Sequence, residues 1–386
     1  MRNISVGIEV GSSTVRVVVG EFQKGEKEPK IIGAGEAPAV GMRRGYVVSE
    51  EDATNSIKIA VEQAEKTSGV KIRRAYLGIN NMTLHGDIAN GTTIISKADS
   101  EVTSLDVKNA FENAEEGLSL GNKKILQMFP IAYKLDSKEV FGRPEGMHGN
   151  KLEIRALFAT THTQHFENLL SAVADAGIET IGIVPSIVAA SALTLSKKQK
   201  MAGSLLVDIG AETVSMAVFE NETLIYLHTL PIGSNDITND IALGLKITLE
   251  EAENVKLGNV TNKHPKKKVD EIIDARLSDI FELIENHLKK IKRNELLPAG
   301  IVLIGAGANL NGIAESARNF LKLPAKVGAS EVFGNTKTKL RDAAWLSVLG
   351  LLTVEKGENM IASNSLESFW HNLKSIVKSN IKQLLP

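Results

Sequence analysis

Two stretches of this chain, far apart in sequence, follow one plan. Val6-Gly7-Ile8-Glu9-Val10-Gly11-Ser12-Ser13 and Leu206-Val207-Asp208-Ile209-Gly210-Ala211-Glu212-Thr213 each give an apolar run, an acidic residue, one more apolar residue, a glycine, and small or polar residues leading into Thr-Val. This weak internal duplication predicts two related halves. Each half is expected to open on a hairpin: strands Ser5 to Val10 and Thr14 to Gly20 in the first, Ser204 to Ile209 and Val214 to Glu220 in the second.

The rest of the chain fills in around these hairpins. Ile31 to Pro38 and Ala75 to Ile79 read as further strands, and Asp52 to Ser68 as a helix stopped by Gly69. The segment Leu84 to Thr163 has short strand-like runs (Thr92 to Ser96, Ile125 to Phe129, Ala132 to Leu135) and one helix, Leu105 to Leu118. It reads as a small inserted α+β subdomain. Helices are expected at Phe166 to Ala176, Ser186 to Leu195, Asp236 to Leu243, Leu249 to Leu257, Val269 to Leu296, Ile313 to Phe320 and Asp342 to Leu352. Thr223 to Leu230 and Ile301 to Ile304 read as strands, Lys197 to Lys200 as a polar connector, and Asn259 to Lys268 as a basic loop.

Composition narrows the chemistry. The chain has 386 residues, enough for two to three domains. With 43% hydrophobic and 24% charged residues it is globular rather than disordered. The absence of cysteine excludes disulfides, thiolate metal sites and cysteine nucleophiles, and fits a cytosolic protein. With 45 basic against 46 acidic residues, no nucleic-acid partner is expected. No apolar stretch reaches the length of a membrane span.

Three glycine turns follow apolar strands, at Gly11, at Gly210 and at Gly305/Gly307. Such turns bring backbone N–H groups close to an anion. Two of them carry an acidic residue two positions earlier, Glu9 and Asp208. Two carboxylates beside a polyphosphate require a cation between them, normally Mg²⁺ held largely through water. The chain has no Walker A loop, and Leu310 stands where a dinucleotide fingerprint needs glycine.

In this order the motifs resemble those of the actin-like ATPase superfamily. The first phosphate motif is Ile8-Glu9-Val10-Gly11-Ser12-Ser13, the second Val207-Asp208-Ile209-Gly210-Ala211-Glu212-Thr213, and the adenosine motif Val302-Leu303-Ile304-Gly305-Ala306-Gly307-Ala308. The interdomain helices correspond to Pro185 to Leu193 and Asp342 to Leu352. Within that superfamily the chain resembles the FtsA family of bacterial division proteins. The residues that carry this are Leu230-Pro231-Ile232-Gly233-Ser234-Asn235-Asp236-Ile237-Thr238-Asn239-Asp240-Ile241-Ala242, Glu250-Glu251-Ala252-Glu253-Asn254-Val255-Lys256, and Pro144-Glu145-Gly146-Met147-His148-Gly149-Asn150-Lys151-Leu152-Glu153 in the inserted subdomain.

The resemblance implies an α/β, actin-like (ribonuclease H-like) two-domain ATPase fold with an inserted α+β subdomain and a C-terminal amphipathic helix. The first core would be residues 1–83 and 164–200 with the return of 342–354, and the insertion 84–163. The second core would be 201–229 and 299–341 with a variable lobe at 230–298, followed by a linker at 355–365 and the helix at 366–385. It implies ATP with Mg²⁺, head-to-tail filaments of the chain with itself, and recruitment of FtsZ through its C-terminal peptide. It also implies anionic inner-membrane lipid, later division proteins, and a place on the cytoplasmic face of the cell membrane at the division site. Carried over by motif, Gly11, Ser12, Ser13, Gly210, Ala211, Glu212 and Thr213 would hold phosphates, and Glu9 and Asp208 the metal and the catalytic role. Gly305, Ala306, Gly307 and Ala308 would meet the adenosine, and Glu253 and Lys256 the ribose and adenine. By spacing alone the last pair reads as an exposed i,i+3 ion pair worth a few tenths of a kcal/mol.

Two departures from the family pattern matter. Glu9 stands where aspartate is usual, and Ala211 and Glu212 fill glycine slots. A glutamate beside the phosphates repels them unless it faces away or meets the metal. The expectation is ATP binding with slow or negligible hydrolysis.

The tail has its own pattern. Leu366, Phe369, Trp370, Leu373, Ile376, Val377, Ile381 and Leu384 fall on one helical stripe, flanked by Lys374, Lys378 and Lys382. A docked C-terminal helix would explain the stripe. An in-plane membrane helix explains the polar linker, the aromatic pair and the lysines as well, each lysine contributing on the order of 1 kcal/mol near an anionic surface. Lys289, Lys290, Lys292 and Arg293 form a candidate landing site for the acidic FtsZ peptide, with solvated charge as the plainer reading. A pilus or secretion scaffold would not need the lysine-flanked tail. A sugar or acyl kinase would need a substrate-side base, and no residue outside the phosphate turns stands out as one.

Overall fold

The computed structural model describes residues 3–26, 28–259, 264–330 and 338–354. The expected linker at 355–365 and amphipathic helix at 366–385, with all its stripe and lysine residues, lie outside the described residues.

The first half opens on an antiparallel meander: Asn3–Val10 (β1) pairs with Thr14–Phe22 (β2), and β2 with Lys30–Pro38 (β3). Val15, Val17, Val18 and Val19 of β2 are buried, as suits β-branched residues on a covered sheet. Met42–Arg43 (β4) and Tyr46–Val47 (β5) form a tight hairpin. Its two tip residues, Arg44 and Gly45, both take positive φ, 50° and 75°, as a type I′ turn requires. Glu50–Ser68 (α1) starts with Glu50, Glu51 and Asp52 at the positive end of its dipole and buries Ile57, Ala60, Val61 and Ala64. Gly69 caps it at φ 68°, its N–H donating to the Glu65 carbonyl. Arg74–Ile79 (β6) runs parallel to β1.

The insertion is built from His85–Ile94 (β7), Ser104–Glu116 (α2), Lys123–Leu135 (β8), Lys138–Val140 (β9) and Lys151–His162 (β10), with strand order β7-β10-β8-β9. Residues 86–121 and 127–159 form a compact unit of their own. Thr103 and Asp106 cap α2 reciprocally. The two short strands expected around Pro130 are one strand. β9 pairs with β8 only at Tyr133 to Leu135, so Pro130 sits where β9 requires no donor. β10 was not anticipated; its first half alternates Leu152 and Ile154 inward with Glu153 and Arg155, and its second half is buried on both faces.

The chain returns to the first half through Thr163–Asp175 (α3), Glu179–Pro185 (β11) and Ser186–Thr194 (α4). β11, also unanticipated, completes the sheet β11-β6-β1-β2-β3. Lys197–Ala202 (α5) is a short helix rather than a plain connector, because Ser196 and Gln199 form a capping box.

The second half repeats the first. Ser204–Ile209 (β12), Val214–Glu220 (β13) and Thr223–Leu230 (β14) form a meander, followed by Ser234–Leu245 (α6), Leu249–Lys256 (α7), Lys266–Lys290 (α8), Ile301–Ile304 (β15), Ile313–Leu321 (α9), Ala325–Val327 (β16) and Leu346–Leu351 (α10). The core order is β16-β15-β12-β13-β14. In each half the acidic strand lies between an antiparallel partner and a parallel one: β1 between β2 and β6, β12 between β13 and β15. The turn closes identically, Gly11 N–H to Thr14 O at 3.1 Å and Gly210 N–H to Thr213 O at 2.8 Å.

Two boundaries differ from expectation. Lys266 to Lys268 form the first turn of α8 rather than a loop, and α8 ends at Lys290 rather than Leu296, because Lys292 and Glu295 both take φ of 57°. The stretch before α10 begins as a 3₁₀ turn, Ala343–Trp345, with the Asp342 side chain accepting from Ala344 N–H. α4 and α10 pack backbone to backbone: a β-carbon at Gly350 would stand 2.3 Å from the Ala189 carbonyl oxygen. Among the described residues no helix is long and apolar enough to cross a membrane.

Candidate functional site

Glu9 and Asp208 are each the penultimate residue of their strand, so the two meanders present them at equivalent ends. Both are buried, at 8% and 4% exposure. Burial is the main cause that raises the Glu9 carboxyl to about 7; the Asp208 charge adds to it, and the Arg16 guanidinium opposes it. Burial likewise raises Asp208, against the Ser347 hydroxyl, which donates to Oδ2 at 2.8 Å, and Arg16.

Arg16 is the residue that reading along the sequence passed over. It is the cross-strand partner of Glu9, held 3.2 Å from Glu36 and stacked over the Trp345 ring at 5.6 Å. Its position seven residues after Glu9, across a short hairpin turn, is the signal that could have found it. Ser347 carried no local signal, since only the packing of α10 brings it to Asp208.

The donor set fits a hard divalent cation. Two buried carboxylates supply oxygen ligands, and their raised ionisation marks negative charge that burial disfavours and a cation would stabilise. Among the described residues no group of three or more histidine, aspartate or glutamate side chains could hold a metal by itself. The remaining ligands of a cation here would be water and phosphate oxygens.

The two phosphate turns are tied to their surroundings through backbone and side-chain bonds. Ser12 Oγ accepts from Gly45 N–H at 2.8 Å, and Ser13 O from Ala39 N–H at 2.9 Å. In the second turn, Gly210 O and Ala211 O accept from Ser234 and Asn235 N–H at 2.9 and 2.8 Å, which seats the start of α6 against it. Thr213 is buried. Glu212 reaches the other half, its Oε2 accepting from Arg44 N–H at 2.5 Å.

The third turn lies against the second carboxylate. Gly305 has φ 85°, and a β-carbon there would stand 2.2 Å from Asp208 Oδ1. Only glycine fits this left-handed, crowded position. Ala306, Gly307 and Ala308 continue as a 3₁₀ turn, with Gly307 and Ala308 buried against the strand end.

Glu253 and Lys256 form more than the exposed pair that spacing alone allowed. The Lys256 side chain is 5% exposed, and its ammonium reaches Glu253 Oε2 at 2.7 Å, Thr238 Oγ1 at 2.8 Å and Ser234 O at 3.2 Å. Thr238 Oγ1 donates to Glu253 Oε2 at 2.6 Å. The pair thus pegs α7 to the first turns of α6, the helix seated on the second phosphate turn.

The basic residues near the end of α8 do not act as one open face. Arg293 clamps Glu220 through Nε at 3.1 Å and Nη2 at 2.8 Å, and Lys289 pairs with Glu285 at 2.9 Å. Lys290 and Lys292 are exposed.

Residues 205–350 match the family model "Cell division protein FtsA", and residues 84–160 match "SHS2 domain inserted in FTSA". The Cell division protein FtsA of Bacillus subtilis (strain 168) is 30% identical over 369 residues, 90% of this chain and 82% of that protein. That of Escherichia coli (strain K12) is 25% identical over 412 residues, 99% of this chain and 97% of that protein. Among solved structures, a chain of the PilM-PilN type IV pilus biogenesis complex superposes with a TM-score of 0.68 at 17% identity, covering 90% of this chain and 97% of that one. MreB5 of Spiroplasma citri bound to ADP does so with a TM-score of 0.52 at 13% identity, covering 96% and 98%. These two likenesses show the actin-like fold. The sequence relatives show more: this chain belongs to the FtsA family of cell division proteins, actin homologues that carry an inserted SHS2 domain.

Proposed function

We propose that the chain binds ATP with Mg²⁺, polymerises head to tail, and tethers the FtsZ ring to the cytoplasmic face of the membrane during division. The observation that carries the nucleotide part is the pair of equivalent glycine turns, each delivering one buried carboxylate, Glu9 and Asp208, with the Gly305 turn against the second. In this reading Ser12, Ser13, Ala211 and Thr213 offer backbone N–H groups to phosphates, and Gly11 and Gly210, whose own N–H groups close the turns, leave room for the anion to approach. The turn Gly305 to Ala308 and the Glu253–Lys256 peg border the adenosine. Mg²⁺ supplies the charge neutralisation that lets phosphates approach two carboxylates. Hydrolysis is slow or negligible, because Glu212 adds a further carboxylate at the second turn.

The membrane part rests on the sequence of residues 366–385, whose apolar stripe carries Phe369 and Trp370 and whose flank carries three lysines. One such helix binds reversibly, so a filament strengthens attachment through many tails at once. Lys290 and Lys292, with Lys289 and Arg293 beside them, offer positive charge to the acidic FtsZ C-terminal peptide. Later division proteins are further partners through the family.

The test is sedimentation with anionic liposomes in MgATP, for the full chain and for one lacking residues 366–386, with electron microscopy of the same samples. The full chain should pellet and show filaments on the lipid, and the shortened chain should stay in the supernatant. Pelleting of the Trp370→Asp variant as well as the parent would overturn the tail's role. Single-turnover ATP hydrolysis as fast as in a sugar kinase would overturn the slow-hydrolysis reading.

A further inference from the structure

The hairpin tip Arg44–Gly45 touches both phosphate turns at once. Its two successive N–H groups are divided between them: Gly45 donates to Ser12 Oγ of the first turn at 2.8 Å, and Arg44 to Glu212 Oε2 of the second at 2.5 Å. Both ends of the Glu212 bond are anchored independently. The tip is set by its positive-φ turn, and its Arg44 carbonyl accepts from Met82 N–H at 3.2 Å. The second turn is held by the Ser234 and Asn235 amides. Glu212 therefore spans from one half of the molecule to the other and joins the second turn to the tip that also holds the first.

In the nucleotide reading above, the terminal phosphate of a triphosphate would lie between the two turns that this tip joins. A terminal phosphate arriving there is an anion seeking the kind of donor Glu212 already uses, and it meets a like charge. A diphosphate lacks that terminal group and would leave the carboxylate in place.

We propose that Glu212 sets the choice between nucleoside triphosphate and diphosphate, its carboxylate competing with the terminal phosphate for the Arg44 N–H. The proposal rests on the nucleotide reading above. It makes the diphosphate form the less costly occupant, and the triphosphate form one that must displace a side chain bound to the opposite half.

The experiment compares the full-length parent with Glu212→Gln, which keeps an acceptor oxygen and loses the charge, and Glu212→Ala, which loses both. Binding of MgADP and of a non-hydrolysable MgATP analogue is measured by titration calorimetry. The parent should bind the triphosphate no more tightly than the diphosphate. Both variants should gain about tenfold for the triphosphate, equivalent to about 1.4 kcal/mol, with ADP changed by less than about twofold. Without nucleotide, amide exchange at Arg44 should speed up about tenfold in Glu212→Ala while Gly45 stays as in the parent. Equal changes for both nucleotides, or no change, overturn the proposal while leaving nucleotide binding intact. An Arg44 amide indifferent to Glu212→Ala also overturns it. Failure of parent and variants alike to bind either nucleotide removes the nucleotide reading and the proposal with it. If Glu212→Ala does not fold, the triphosphate-to-diphosphate ratio of Glu212→Gln decides alone.

Discussion

The hydroxyl of Ser347 donates to Asp208 Oδ2 over 2.8 Å, joining α10, which packs against α4 of the first half, to the penultimate residue of β12 in the second. Both residues are buried, at 3% and 4% exposure, so the bond replaces water for a charged group that cannot reach it. Removing the hydroxyl in Ser347→Ala leaves that carboxylate short of a donor and pushes its ionisation further up. The expected cost is about 1.5–3 kcal/mol, read from urea unfolding in nucleotide-free buffer. An unchanged midpoint would mean that Asp208 is already neutral and needs no donor.

The backbone approach of α4 and α10 makes Gly350 intolerant of any side chain. A β-carbon placed 2.3 Å from the Ala189 carbonyl must force the helices apart. Gly350→Ala is expected to lose about 3 kcal/mol or more by denaturant titration. Gly117→Ala, whose β-carbon would meet nothing nearer than 3.4 Å, serves as the control and should stay close to the parent.

Lys256 separates structural from ligand-binding contributions. Lys256→Met keeps the buried stem but strips Glu253, Thr238 and the Ser234 carbonyl of a common partner. A loss of about 1–3 kcal/mol in stability is expected from the unpaired groups. A nucleotide affinity about tenfold weaker should accompany it. Full retention of affinity alongside the stability loss would make the pair a peg between α6 and α7 and nothing more.

A histidine cluster gives the fold an acid-sensitive point. His228 stacks on His287 with ring centroids 4.2 Å apart and pairs across strands with His85, and the Tyr226 hydroxyl lies 2.5 Å from His287 Nδ1. Burial, then the charges of His287, His85 and Lys290, depress His228 to about 4. Burial, then Lys290, lowers His287. A histidine depressed on folding favours the native state fully above its unfolded value of 6.5 and loses that advantage as pH falls toward 4. His228 is partly exposed, so screening reduces its share to about 1–2 kcal/mol. Melting temperatures at pH 7.5 and 5.0 should diverge more for the parent than for His228→Phe, which keeps the stack and cannot titrate. Equal slopes would remove the cluster from the acid response.

Much of the fold was legible because the strongest signals are local. The strands β1, β12 and β15 announce themselves as short apolar runs ending at a glycine turn, β2 and β13 as the valine-rich returns from two of those turns, and α1 as a periodic stretch with acidic residues at one end and Gly69 at the other. The strands β10 and β11 were hidden. β10 begins with charged residues on its open face, and β11 is irregular, its register with β6 shifting between Thr180 and Gly182. Apolar periodicity carries α8 too far, because it persists through Ile291 and Leu296 while the backbone at Lys292 has already turned left-handed.

The sequence by itself determined that there are two equivalent strand–turn–strand units, which carboxylate each presents, and where glycine allows a backbone to approach an anion. Those are properties of neighbouring residues, fixed by strand period and steric freedom. It could not say what faces the carboxylates. Arg16 reaches them through cross-strand register, Ser347 through the packing of a returning helix, and Arg44 meets Glu212 from the opposite half of the molecule. Each of those contacts depends on strand pairing or helix packing between separate elements, and only the folded chain supplies it.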